Sequence, residues 1–116
     1  MELKLLLEYT KDMVVLYVED DKQLLDTTEE LLDNYFTKID TALNGQAGLD
    51  KYLEYFKENN AYYDIVITDI NMPKLDGIEM SKVIYSINPN QEIIITSAHN
   101  EVEYLSSAIE LGINGF

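Results

Sequence analysis

The chain is predicted to be an α/β domain with a doubly wound parallel sheet, on three observations. Short β-rich runs recur: VVLYV at 14–18, YDIVIT at 63–68 and EIIIT at 92–96. They are apolar almost throughout rather than alternating, the pattern of strands covered on both faces. Between them lie longer segments with apolar residues at helical spacing. Strands alternating with helices at this interval imply parallel strands joined by right-handed crossovers, with helices on both faces of the sheet.

Taken in order, Leu3, Leu6 and Leu7 mark a short amphipathic lead-in over residues 1–12, ahead of the first strand. This lead-in is either a solvated end or a cover for another surface. VVLYV ends abruptly in Glu19-Asp20-Asp21. Asp20 or Asp21 can cap the helix that follows. Leu24, Leu25, Leu31, Leu32, Tyr35 and Phe36 form its stripe, predicting a helix over 22–36. KIDTAL at 38–43 is a modest second strand, closed by Asn44-Gly45, a strong turn signal. Leu49, Tyr52, Leu53 and Phe56 stripe a second helix that fades at Asn59-Asn60. After the third strand comes Asp69, and Met80, Val83, Ile84 and Ile87 stripe a third helix stopped by Asn88-Pro89. The fourth strand ends in Ser97-Ala98-His99. Val102, Leu105 and Ile109 mark a fourth helix ended by Gly112, and residues 113–116 open a fifth strand.

Composition narrows the function. With 8 Lys plus Arg against 22 Asp plus Glu, the formal charge is −14. A nucleic-acid backbone or an anionic membrane selects basic surfaces, so neither is expected as a direct partner. The acidity equally serves solubility. There is no cysteine, which excludes disulfides, thiolate chemistry and Cys-zinc sites. No run approaches the roughly 18 apolar residues of a membrane helix, and a cytoplasmic location is expected.

In doubly wound sheets the ligand crevice lies outside the carboxyl ends of the strands. Glu19, Asp20 and Asp21 follow strand 1, Asp69 follows strand 3 and Ser97 follows strand 4. Each alone has an ordinary explanation as a cap, a turn residue or a strand-end hydroxyl. Together they gather carboxylates at one edge, where repulsion requires shared protons or a cation. An all-oxygen donor set favours a hard ion, magnesium before calcium. Asp69 would then be placed as a nucleophile toward phosphorus. Pro73 and Gly77 would shape the loop so that the third helix begins clear of the site.

VLYVEDD, VITDINMPKLDGIEM and IIITSAHN resemble the three signature blocks of the receiver domain of two-component response regulators. The D-x-N-M-P-x-x-D-G block is highly specific, and the likeness runs over residues 13–116. The resemblance implies a flavodoxin-like sheet of strand order 2-1-3-4-5. It also implies phosphorylation of Asp69 by a sensor histidine kinase or phosphotransfer protein, with Mg²⁺ as cofactor. Asp20 would ligate the ion directly and Glu19 through water, with Asp69 and the Asn71 carbonyl completing the set. Asp21 would be a cap. Ser97 would be the switch hydroxyl and Phe116 the switch aromatic, so that phosphorylation changes a surface read by an output domain or downstream protein. His99 matches no required role and is expected as a loop residue beside the site.

The family's lysine beyond the Phe116 position has no counterpart here. Strand 5 is cut short and helix 5 is missing, so residues 13–116 are expected to be a C-terminally truncated receiver. Such an edge would invite a homodimer or strand exchange, unless the lead-in helix covers it. Two other readings stay open. One is a Mg²⁺-dependent phosphohydrolase working through an aspartyl phosphate, against which stands asparagine rather than aspartate at position 71. The other is a receiver-shaped interaction scaffold not controlled by phosphate.

Overall fold

The computed structural model describes residues 11–96. Four parallel strands, β1 (Val14–Val18), β2 (Lys38–Ala42), β3 (Ile65–Asp69) and β4 (Glu92–Thr96), form one sheet in the order 2-1-3-4. They are linked by α1 (Lys22–Leu32), α2 (Gly45–Asn59) and α3 (Gly77–Ile87). This is the expected doubly wound arrangement through its fourth strand. The lead-in over 1–10, the fourth helix, the fifth strand, and Ser97, His99 and Phe116 lie outside the described residues.

Because successive strand residues point to opposite faces, β1 feeds two cores. Val15 and Tyr17 join Leu25, Leu32, Phe36, Ile65, Ile67 and Ile94 under α1. Leu16 and Val18 join Tyr52, Val66, Met80 and Ile84 under α2 and α3. Hence β1 reads as an unbroken apolar run and β3 as one up to Ile67. The register places Val18 opposite Ala42 on one side and Thr68 on the other, so the carboxyl ends of the strands lie level.

Local chemistry starts each helix. Asp21 accepts from the Gln23 and Leu24 amides at 3.0 and 3.2 Å and caps α1. Asn44 and Asp76 cap α2 and α3 by accepting from Ala47 and Glu79, each at 2.8 Å. α2 ends with Asn60 in the left-handed conformation, φ 54°. Asn44-Gly45 therefore begins a helix directly instead of forming a separate turn.

Predicted bounds shift by one to four residues: β2 ends at Ala42 rather than Leu43, and β3 begins at Ile65 rather than Tyr63. α1 stops at Leu32 rather than Phe36. The chain turns there, the Tyr35 and Phe36 amides donating to the Leu32 carbonyl at 2.9 and 3.1 Å, and Phe36 still reaches the core. Asp69 is the last residue of β3, paired with Thr96, rather than the first residue beyond it. Of the predicted α3 stripe, Met80 and Ile84 are buried while Val83 and Ile87 are exposed.

Candidate phosphoacceptor and metal site

β1 and β3 are adjacent, so the residues ending them are neighbours. The Glu19 amide donates to the Ala42 carbonyl at 3.0 Å, which carries the line of β1 one residue past the strand. Asp69 ends β3 in the next position across the sheet. Glu19, Asp20 and Asp69 each place a carboxylate oxygen within 4.8 Å of the others. Glu19 and Asp69 are buried while Asp20 is exposed. Two of the three charges thus sit where water screens them poorly.

Backbone donors fix the two buried carboxylates. Glu19 Oε2 accepts from the Asp21 amide at 3.0 Å, and Asp69 Oδ1 accepts from the Ile70 amide at 2.9 Å. Burial pushes the Asp69 carboxyl above its ordinary value; the Ile70 N–H opposes this, and the charge of Asp20 adds to it. A carboxylate raised in this way is a better nucleophile than a free one, and a cation beside it relieves the repulsion.

The cluster opens into a concavity of about 360 Å³ lined by Glu19, Asp20, Asp21, Leu24, Asp69 and Asn71. Every metal-binding residue named from the sequence is therefore present at one place. The donor set fits Mg²⁺: oxygens alone, three of them carboxylate, one exposed side, and a spacing that an ion with bound water can span. Asp21 lines the same concavity, but its Oδ1 is engaged in capping α1.

The loop after Asp69, residues 70–76, is held at several points. The Gly77 amide donates to the Ile70 carbonyl at 2.9 Å and closes the loop's base. The Leu75 amide donates to the Pro73 carbonyl at 2.9 Å, around Lys74 at φ 71°. This is the less common, strained hand of γ-turn. A Cβ on Gly77 would overlap the Asp69 carbonyl oxygen and lie 3.0 Å from its carbon. α3 therefore begins against the backbone of Asp69, while none of its residues lines the concavity, and only glycine permits that approach. The sequence signal for this was the glycine eight residues after Asp69, read there only as shaping the loop.

A family model described as the response regulator receiver domain matches residues 15–116. The chain is 30% identical over 102 residues to the chemotaxis protein CheY of Halobacterium salinarum, covering 88% of this chain and 80% of that protein. It is 28% identical over 111 residues to the two-component response regulator ARR10 of Arabidopsis thaliana, 96% of this chain but 19% of that relative. The chain thus spans about a fifth of ARR10's length. Among solved structures, it resembles a CheX-CheY-BeF3-Mg²⁺ complex from Borrelia burgdorferi with TM-score 0.67 and 27% identity, over 90% of this chain and 76% of that one. Among the described residues, no helix is long and apolar enough to cross a membrane. With the sheet order, the acidic cluster and the family match in agreement, the chain belongs to the response regulator receiver domain family, a family of signalling phosphoacceptor domains.

Proposed function

We propose that Asp69 is the residue that accepts the phosphoryl group, from a sensor histidine kinase or a phosphotransfer protein. The observation carrying this reading is the convergence of Asp69, Glu19 and Asp20 within 4.8 Å at the ends of two neighbouring strands. Ile70 holds Oδ1, which leaves Oδ2 for bond formation. An Oδ2–P bond forms as the bond from phosphorus to the donor breaks, and the donor leaves with the electron pair. Bound Mg²⁺ would supply neutralisation of charge on the phosphoryl oxygens. Asp20 and Glu19 would hold the ion, with Asp69 and the Asn71 carbonyl. Hydrolysis of the acyl phosphate would restore the carboxylate, so the only turnover is of the domain's own phosphate.

Ser97 and Phe116 are assigned here to the response: the hydroxyl follows the new phosphoryl oxygens and the aromatic follows the hydroxyl. Residues 13–116 form the receiver and 1–12 its lead-in. The surface so altered would be read by an output domain or a downstream protein. Incubation with acetyl phosphate and Mg²⁺ tests the phosphoacceptor. The expected outcome is a mass gain of one phosphoryl group, lost in Asp69→Asn and on chelation of the metal. A gain that persists in the variant removes Asp69 from the role.

A further inference from the structure

We infer that Gly45, in the first turn of α2, is a positioning residue for the metal and phosphoryl site, acting through the loop that follows Asp69. The inference rests on the roles given above to Asp69 and Asn71. Gly45 is not in a left-handed conformation; its requirement is space. A Cβ built on it would overlap the Leu75 carbonyl oxygen and lie 2.7 Å from the Leu75 carbonyl carbon. Those are backbone atoms, so no side-chain rotation relieves the overlap. The start of α2 is thus a floor on which the loop rests.

The consequence follows from how that loop is closed. Its base is held by the hydrogen bond from Gly77 to Ile70 and by the approach of Gly77 to the Asp69 carbonyl. Its tip is already strained at Lys74, φ 71°, inside the three-residue turn from Pro73 to Leu75. With both ends of the loop anchored, a push at Leu75 falls on residues 71–75, which include Asn71. Asn71 lines the same concavity as the acidic cluster. A single methyl group on α2 would therefore move the loop that offers the uncharged metal ligand, while leaving Asp69 on its strand and Glu19 and Asp20 at the end of β1.

Gly48, one turn along α2, provides the control. A Cβ there would meet the side chains of Val18 and Met80, at 2.8 Å from Cγ2 and 2.9 Å from Sδ, and not the loop. Both substitutions crowd the inner face of the same helix, so both are expected to lower thermal stability. Only Gly45→Ala should change the site in molecules that remain folded. Mg²⁺ alone is titrated calorimetrically into the full chain, Gly45→Ala and Gly48→Ala, at a temperature where circular dichroism shows all three folded. The expected result is an affinity about tenfold weaker in Gly45→Ala, as for loss of a supporting contact around a metal, and within about twofold of the parent in Gly48→Ala. Equal affinities in parent and Gly45→Ala, or equal losses in the two variants, overturn the inference. Should Gly45→Ala fail to fold, amide shifts in the parent decide it. Gly45 and Leu75 should move together on adding Mg²⁺ and beryllofluoride, and a stationary Gly45 overturns the coupling. A parent that binds no Mg²⁺ overturns the reading of the site itself, and the inference with it.

Discussion

Replacing Asp69, the proposed phosphoacceptor, by its isosteric amide in Asp69→Asn should make the metal-free domain more stable. Asp69 is buried and lies within 4.8 Å of two other carboxylates. At that separation two unit charges repel by about 3.5 kcal/mol at an effective dielectric of about 20, and by about 0.9 kcal/mol in bulk water. Asp69 is itself buried, which carries its repulsion above the bulk-water figure; Asp20, the charge that raises its carboxyl, is exposed, which keeps that pair toward the lower one. Proton sharing and relaxation of the folded state reduce both. The expected net gain is about 1–3 kcal/mol, or about 4–12 °C in Tm for a domain of this size. The Ile70 amide keeps an acceptor, because the amide oxygen can take the place of Oδ1. The pH dependence has a definite sign. Burial and Asp20 raise the folded-state value of Asp69 above its ordinary 3.8, so the parent's handicap is absent below that pH. It then develops as pH rises through the raised value. Urea unfolding of parent and variant, in EDTA at low salt, measures the gap at pH 7 and again at low pH. Saturating Mg²⁺ should close it, since an ion at 100 times its Kd adds about 2.7 kcal/mol to the parent. A variant no more stable than the parent at pH 7, or a gap unchanged by acid, would refute the repulsion on which the site is built.

Asp20→Asn should weaken Mg²⁺ binding by about tenfold or more, because it removes the charge proposed to ligate the ion directly from a small donor set. An unchanged affinity in titration would remove Asp20 from the metal site. At the opposite pole, the Tyr52 hydroxyl donates to Gln91 at 2.7 Å and accepts from Asn88 at 3.3 Å. Tyr52→Phe leaves these buried groups short of a partner and should cost about 1–2 kcal/mol in chemical denaturation. Burial pushes Tyr52 from 10.0 up to about 12, so the stability it contributes is complete below pH 10 and is lost as pH rises through about 12. The phenylalanine variant should show a shallower alkaline loss, and an identical alkaline profile would contradict this.

The strand cores were legible because parallel strands covered on both faces read as short apolar runs. VVLYV and EIIIT therefore mark β1 and β4 without adjustment. Helix starts were legible where a capping side chain precedes the stripe, as at Asp21. Helix faces were less so. Leu53 and Phe56 belong to the predicted α2 stripe yet are substantially exposed, because Tyr52, with Ala47, Leu49 and Tyr55 around it, makes the contact with the core. The third strand was begun two residues early and ended one residue short, the latter since hydrophobicity cannot report that a carboxylate still takes part in a ladder. Gly45 and Gly77 were read as backbone punctuation, and their true requirement is the absence of a Cβ next to another segment's carbonyl.

The sequence by itself determined the fold class, the edge of the sheet where chemistry gathers, and the residue types assembled there. Those follow from periodicity and from the chain order of strands, which are local properties. Only the tertiary structure decided that three carboxylates meet within 4.8 Å, that two of them are buried, and that the loop after Asp69 is seated on a second helix. These are contacts between segments distant in the chain, set by sheet register and close packing. Spacing along one segment carries no record of the atom that will lie against it.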